Sequence, residues 1–283
     1  MKDKQVKTEY NYLVLTDFSE ASYIALKYAI SLAKLIKGNI HVCHIANPSK
    51  IVQNDNQVAA IREINLETQK IEKKIGAIVE MILTEGINAI PYCSIGNIIY
   101  EFEELANQLK PDVVILGKKA GNRKLSGKIT SYLMNEYLGS LLIIDKESEF
   151  QTDTNISIAC NENTLNQNDS YLISSLDRQT KTSISFLNIK SSKDKSEKIS
   201  VPQTWWKSNN EADRNIEIKY ENDSTIASGL NKYISSNNIN LLCIGKGKQR
   251  NFLQRLISRH SSTVLDIVNK VHIPILVMGA NPK

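Results

Sequence analysis

A basic loop with glycines follows the apolar run VVIL, and its residue types are those that can hold an anion. The stretch reads GKKAGNRKLSGKIT, from Gly117 to Thr130. Glycines let the backbone come close to a ligand, and the amides that begin a following helix favour negative charge. Five basic side chains would add attraction: Lys118, Lys119, Arg123, Lys124 and Lys128. A merely solvated basic loop is the competing interpretation. The loop is not a Walker P-loop, because GxxxxGK[ST] does not occur.

A polar pair, Thr16-Asp17, follows a second apolar run, YLVL. The Asp17 carboxylate could accept hydrogen bonds from a ribose or a base, or it could cap the helix that begins next. Both interpretations stay open from the sequence.

The histidines form no obvious catalytic pair. His41 and His44 lie on one predicted strand, and His260 and His272 lie far along the chain. No DxD or HxD pair stands at a predicted strand end, so acid-base catalysis is not favoured. His44 could face a site, or it could pack on its strand.

Strands alternate with helices throughout the first half. The predicted strands are YLVLTDF (12–18), NIHVCHIA (39–46), NAIPYCSI (88–95), DVVILG (112–117) and SLLIID (140–145). The helix after the first strand has Ser19 as its cap and Gly38 as its stop. Such alternation indicates right-handed crossovers and a parallel sheet covered on both faces.

The longest predicted helix carries an isoleucine stripe wide enough to lie on the sheet. The stripe consists of Ile61, Ile64, Ile71, Ile75, Ile78 and Ile82, with Thr68 completing the spacing. Gly86 ends it. A shorter helix is predicted to start near Gly127.

The same order begins again after a polar passage near residue 150. NISIAC, SISFLNI, IEIKYE, LLCIG and PILVMG supply five further strands, and LLCIGKGKQRN echoes VVILGKKAGNRK. We therefore predict two tandem, open-sheet, mostly parallel five-stranded α/β domains, at residues 1–149 and 150–283. A single continuous sheet, or an unrelated architecture beyond Asp153, would end the case for two successive copies.

The second copy lacks the long isoleucine helix. Residues 191–214 have Pro202 in the middle and no helical period, which predicts a mobile loop. Its Trp205-Trp206 pair could form a lid or a partner anchor, or it could simply dock the loop onto the core.

Composition excludes several classes of protein. The net charge of +5 is modest, and no helix carries a basic face with aromatics, so nucleic acid is a poor candidate. No apolar run approaches a membrane span, and we expect a soluble, cytoplasmic protein. The four cysteines are far apart in apolar runs, which predicts buried thiols and no metal site.

The residues TDFSE (16–20) and IALK (24–27), with VVILGKK and GKITSYL, resemble the universal stress protein family. The resemblance covers nearly all of the first half. In the second half it rests on the strand order and on STVLDIVNKVHIPILVMG. It implies a five-stranded α/β domain, often paired through its last strand, so that a tandem chain resembles such a dimer. A further homodimer is possible.

The resemblance also implies a site for ATP or another adenine nucleotide, with Mg²⁺ only if ATP is bound. The implied positions in the first half are Thr16, Asp17, Ile45, Leu116, Gly117, Gly127, Lys128 and Ile129. Ile45 would contact the base through its backbone. The family's loop pattern, G-x2-G-x9-G-[ST], is incomplete here: Ala120 replaces a glycine, Gly121 is one place late, the spacer is short and Lys128 replaces a hydroxyl residue.

The second site departs further from the family's pattern. Its implied positions are Asn161, Gly245, Ser261, Ser262 and Thr263, with Lys248 in place of a glycine. We expect no nucleotide there in the family's usual pose. The resemblance therefore implies a non-enzymatic stress-response protein whose first half binds an adenine nucleotide and whose second half is structural or regulatory. A ligand-free interaction module and a slow ATPase are the alternatives.

Overall fold

The computed structural model describes residues 9–51, 56–118, 127–150, 154–159, 167–180, 184–191, 217–223, 226–245 and 260–279. The strands in this part of the chain are β1 (Tyr10–Leu15), β2 (Gly38–Ala46), β3 (Ala89–Ile95), β4 (Val113–Gly117), β5 (Ser140–Ile144), β6 (Ile156–Ala159), β7 (Ile184–Ser191), β8 (Glu217–Asp223), β9 (Leu241–Gly245) and β10 (Ile275–Met278). The helices are α1 (Glu20–Ile36), α2 (Pro48–Ile51), α3 (Gln57–Thr84), α4 (Ile98–Leu109), α5 (Lys128–Asn135), α6 (Gln167–Gln179), α7 (Ile226–Asn237) and α8 (His260–Lys270).

The ten strands form one continuous sheet and not two separate ones. Its order is β3-β2-β1-β4-β5-β10-β9-β6-β7-β8, so each half of the chain repeats the same internal order. All neighbouring strands are parallel except β5 and β10, which pair antiparallel with Leu142 opposite Leu276. The fold is thus the predicted mostly parallel α/β sheet. It is continuous because β5 and β10 pair with each other, and an unpaired edge would leave backbone groups exposed.

The division into domains at residue 150 stays a prediction. That position lies between β5 and β6, in the connection between the two sets of strands. The predicted loop around Trp205 and Trp206 lies outside the described residues.

Helices cover both faces of the sheet. On one face, α1, α3 and α6 pack over residues such as Val14, Val42 and Ile158. On the other, α4, α5, α7 and α8 pack over alternate residues of the same strands. The apolar strands are therefore buried on both sides, as a parallel sheet requires.

Helix α1 begins as the sequence predicts but ends one residue early. Ser19 is the N-cap, and its hydroxyl accepts from the Ser22 amide at 3.4 Å. At the other end Lys37, and not Gly38, has a positive φ, of 51°. Gly38 is the first residue of β2, where a Cβ atom would lie 2.3 Å from the ring of Tyr12. This glycine therefore makes room for an aromatic ring.

Helix α3 uses only part of its isoleucine stripe to cover the sheet. Ile71, Ile75, Ile78 and Ile82 are buried, whereas Ile61 is 59% exposed. The helix has 28 residues, or about 42 Å at 1.5 Å per residue, which is far longer than the strands beside it. Its N-terminal half extends past the carboxyl ends of the strands, so the prediction that the whole stripe lies on the sheet is wrong.

The cysteines are less uniformly buried than predicted. Cys43 and Cys243 are buried, but Cys93 is exposed on β3, which is an edge strand. Cys160 lies outside the described residues. Within the described ranges, no group of His, Cys, Asp and Glu side chains could hold a metal ion. No described helix is long and apolar enough to span a bilayer.

Candidate functional site

A cavity of about 1060 Å³ opens at the carboxyl ends of β1, β2 and β4. These strands are neighbours in the order β2-β1-β4, so residues that are far apart in sequence meet at one edge. All eight positions predicted in the first half line this cavity: Thr16, Asp17, Ile45, Leu116, Gly117, Gly127, Lys128 and Ile129. Their role in binding stays a prediction.

The first turn of α5 forms one end of the cavity. Gly127 is its N-cap, with φ 126° and no side chain to accept from the helical amides. The amides of the first helical residues, Lys128 to Thr130, therefore keep the partial positive charge of a helix N-terminus. The exposed Lys128 adds a full positive charge. This end of the cavity favours an anion.

Asp17 lies at the end of β1 and supports the start of α1 indirectly. One carboxylate oxygen accepts from the backbone amide of Ser19 at 3.1 Å and from the Ser19 hydroxyl. Ser19 itself caps the helix, so the interpretation of Asp17 as the N-cap is wrong. The exposed Asp17 carboxylate also lines the cavity.

His44 lines the cavity and is held from two sides. Its Nδ1 donates to the carbonyl oxygen of Thr16 at 2.8 Å. In the neutral ring, Nε2 is therefore the acceptor nitrogen. The ring stacks on Phe18 with centroids 4.5 Å apart, and Lys74 Nζ lies 5.1 Å from the Phe18 ring centroid. Because His44 both lines the cavity and packs against Phe18, the two interpretations of this residue stay open.

Phe18 adopts a conformation that is rare for an aromatic residue. Its φ is 59°, in the left-handed region. Such strain costs of order 1–3 kcal/mol and persists only where the surroundings enforce it. Here the Phe18 amide donates to the Thr16 hydroxyl at 3.1 Å, and that hydroxyl is in turn 3.1 Å from the Ser22 hydroxyl. The turn that carries Asp17 is therefore fixed by its own hydrogen bonds.

Gly117 lines the cavity, and packing against α1 by itself explains why this position is a glycine. A Cβ atom there would lie 2.0 Å from the carbonyl oxygen of Ala21, in the first turn of α1. The close approach of α1 to the end of β4 therefore requires glycine at this position even in the absence of a ligand. The sequence interpretation, that this glycine admits a phosphate, is not needed to explain it.

Lys118 does not belong to the anion-binding end, contrary to the sequence interpretation of the loop charges. Its ammonium lies 3.2 Å from Asp145 and donates to the carbonyl of Val271 at 3.1 Å. The side chain is only 11% exposed. Lys119, Arg123 and Lys124 lie outside the described residues.

Sequence reasoning missed the wall of the cavity that α2 and α3 supply. Among its residues are Lys50, Ile51, Glu63, Leu66, Glu67, Lys70 and Ile71. Acidic and basic side chains alternate here, and Lys70 pairs with Glu67 at 3.2 Å. The only sequence indication was that Glu63, Glu67 and Lys70 recur at helical spacing beside the stripe.

The predicted second site is described only in part. Gly245 is the last residue of β9, and residues 261–263 form the first turn of α8. The backbone positions therefore parallel Gly117 and the first turn of α5. Asn161 and Lys248 lie outside the described residues.

Comparison with known proteins identifies the first half. Residues 11–144 match the model of the universal stress protein family. The first half of this chain is a universal stress protein domain. The match ends at the last residue of β5, so the universal stress protein domain comprises the first five strands and the cavity.

Solved structures share the fold over nearly the whole chain. A universal stress protein from Archaeoglobus fulgidus has 14% identity and a TM-score of 0.65, with 96% of this chain and 98% of that chain covered. A functionally unknown protein from Pseudomonas aeruginosa has 12% identity and a TM-score of 0.55, with 95% and 92% covered. Likeness at such identities shows the fold alone. No curated protein matches the chain significantly.

Proposed function

We propose that the universal stress protein domain binds an adenine nucleotide in its cavity, and that the protein acts in a stress response as a non-enzymatic binding protein. The observation that carries this proposal is that the eight positions implied by the family resemblance surround one cavity. Because β1, β2 and β4 lie side by side, the cavity sits where open α/β sheets bind ligands.

The two ends of the cavity differ in a way that suits a nucleotide. The N-terminus of α5 and Lys128 offer positive charge for a phosphate group. The walls near the strand ends are apolar, with Leu15, Ile45 and Leu116 among the lining residues. The Asp17 carboxylate can accept hydrogen bonds from sugar hydroxyls.

The second half is structural or regulatory in this proposal. Its sheet joins the first through β5 and β10, which supports a pseudo-dimer within one chain. Because β5 is already paired, a further homodimer would have to use another surface. The expected absence of nucleotide from the second site is part of the same proposal.

A ligand-free interaction module is the alternative, and the exposed N-terminal half of α3 favours it. Val58, Ile61 and Leu66 are 58–60% exposed there. Single exposed apolar residues are normal on protein surfaces, and Leu66 lines the cavity. Val58 and Ile61, however, are three positions apart on the helix and together offer an apolar contact for a partner. An ATPase is the less favoured alternative: His44 is the one described histidine that lines the cavity, and because its Nδ1 donates to Thr16, Nε2 is the only ring nitrogen that could accept a proton from a water molecule.

Titration calorimetry and thermal shift with adenosine, AMP, ADP, ATP and cyclic AMP, with and without Mg²⁺, test the proposal. A nucleotide at about 100 times its Kd should stabilise the protein by about 2.7 kcal/mol. Lys128→Met should weaken the binding of phosphorylated ligands about 10-fold or more, since a hydrogen bond to a charged group contributes about 1.5–3 kcal/mol. It should change adenosine binding little.

The matched control is Lys27→Met, which removes an exposed lysine of α1 that does not line the cavity. Asp17→Ala should weaken every ligand that carries a ribose. No stabilisation by any of the five ligands would overturn the proposal and favour the interaction module. Sustained release of phosphate from ATP by the purified protein would instead overturn the non-enzymatic part.

A further inference from the structure

The side chain of Lys118 joins the two halves of the chain next to the cavity. Its ammonium contacts Asp145 Oδ2 at 3.2 Å, the Val271 carbonyl at 3.1 Å and the Asn269 carbonyl at 3.4 Å. Lys118 and Asp145 follow the ends of β4 and β5 in the first half, whereas Asn269 and Val271 lie at the end of α8 in the second.

The chemistry of this contact is favourable at each partner. The carbonyls at the C-terminus of a helix carry partial negative charge and lack helical donors, so an ammonium group satisfies them. The Lys118 and Asp145 side chains are 11% and 5% exposed, so both are withdrawn from water. His272, two residues after the end of α8, adds a second contact from the second half, with Nδ1 3.4 Å from Asp145 Oδ2.

The contact fixes the first residue of the connection between β4 and α5. The backbone amide of Lys118 donates to the Ile144 carbonyl at 2.7 Å. The preceding residues, Leu116 and Gly117, line the cavity, and so does the N-terminus of α5 on the far side of the connection. The second half therefore holds Lys118, the residue directly after two residues that line the cavity.

We propose that Lys118 is a positioning residue through which the second half regulates the cavity: docking of α8 keeps the cavity ready for its ligand, and ligand binding in turn strengthens the docking of α8. This inference rests on the proposed function for its ligand. Coupling between two sites is reciprocal, so both directions must be observed. A buried ion pair contributes little net stability but can fix a geometry, which is the role assigned here.

Hydrogen exchange of the backbone amides tests the coupling in the full-length protein without ligand. Lys118→Met should speed exchange in α8 and also at the hydrogen-bonded amides of α5, from Ser131 onward, each by about tenfold or more, as local opening becomes easier. Lys118→Arg keeps the charge and should restore slow exchange at both. Lys27→Met, which removes an exposed lysine of α1 that does not line the cavity, should leave α8 unchanged.

Lys118→Met leaves Asp145 short of a partner, so the double variant Lys118→Met with Asp145→Asn is measured beside it. In the double variant the buried Asp145 carboxylate no longer carries an uncompensated charge. The contact between the Lys118 ammonium and α8 is still lost. If exchange in α8 rises in both variants while α5 stays at its original rate, Lys118 is only a local packing contact and the coupling is overturned.

The nucleotide arm uses ATP and ADP at saturating concentration. In the unsubstituted protein, nucleotide should slow exchange in α8, and in Lys118→Met it should not. Nucleotide should raise the equilibrium constant for docking of α8 by a certain factor. Lys118→Met should raise the nucleotide Kd by the same factor. Binding without any change in α8 would overturn the coupling but not the proposed function. Absence of binding would overturn the proposed function, and the ligand-free comparison would then decide the coupling by itself.

Discussion

Substitution of Gly117 by alanine tests whether this glycine is required for packing against α1 or for binding a ligand. The added Cβ atom would lie 2.0 Å from the Ala21 carbonyl oxygen, 2.4 Å from the Ala21 carbonyl carbon and 3.0 Å from the Ser22 nitrogen. All three are backbone atoms of the first turn of α1, so no side chain can rotate away. Either α1 or the end of β4 must move.

The expected cost follows from where α1 lies. Ten of its 17 residues are buried, so a shift of the helix disturbs the core. Overpacking costs about 1–3 kcal/mol, and a backbone clash favours the upper end of that range. At about 2–4 °C per kcal/mol, the melting temperature should fall by about 6–12 °C. The loss should be present with no nucleotide in solution.

Urea unfolding and thermal melting of the ligand-free protein measure this loss, with Gly76→Ala as the control. A Cβ atom at Gly76 meets nothing within 4 Å, and the residue lies inside α3. That substitution should stabilise the protein by about 0.5–1 kcal/mol. If Gly117→Ala kept the original stability and lost only nucleotide binding, the glycine would serve the ligand and the packing argument would be refuted.

Two further predictions concern ionisable groups. Burial first, and then Cys93 and Glu101, raise the pKa of Cys43 to about 12. At pH 8, iodoacetamide should therefore label the exposed Cys93 much faster than the buried Cys43. Equal labelling rates in peptide mapping would contradict the buried position of Cys43. Burial lowers the pKa of His41 below its ordinary 6.5, so the unfolded chain takes up the extra proton and stability should fall as the pH drops below about 6.5. His41→Gln should flatten that part of the melting-temperature profile, and an unchanged slope would show that other groups cause it.

The mostly parallel sheet and the placement of candidate residues at its carboxyl edge were accessible from the sequence because both follow from local patterns. Apolar runs separated by amphipathic helices indicate a parallel sheet, and a parallel sheet brings its carboxyl ends together. Thr16, Ile45 and Gly117 each follow or end such a run, so their convergence on one cavity was predictable.

The direction of individual side chains was not accessible in the same way. Gly117 lines the cavity, while the next residue, Lys118, contacts a carbonyl 153 positions later in the chain. No local pattern encodes that partner. The prediction for the isoleucine stripe of α3 was wrong for a related reason. Periodicity shows that Ile61 and Ile75 share a face of the helix, but it does not show where the sheet beneath that face ends.

The antiparallel pairing of β5 with β10 has a consequence for any attempt to divide this protein. All five residues of β5 and all four of β10 are buried. A fragment cut near residue 150 would present one of these apolar strands as a bare edge, which invites pairing with another copy of itself. Because the two halves are covalently linked, β5 and β10 can pair with each other as soon as both have been synthesised, so that neither remains open to another chain.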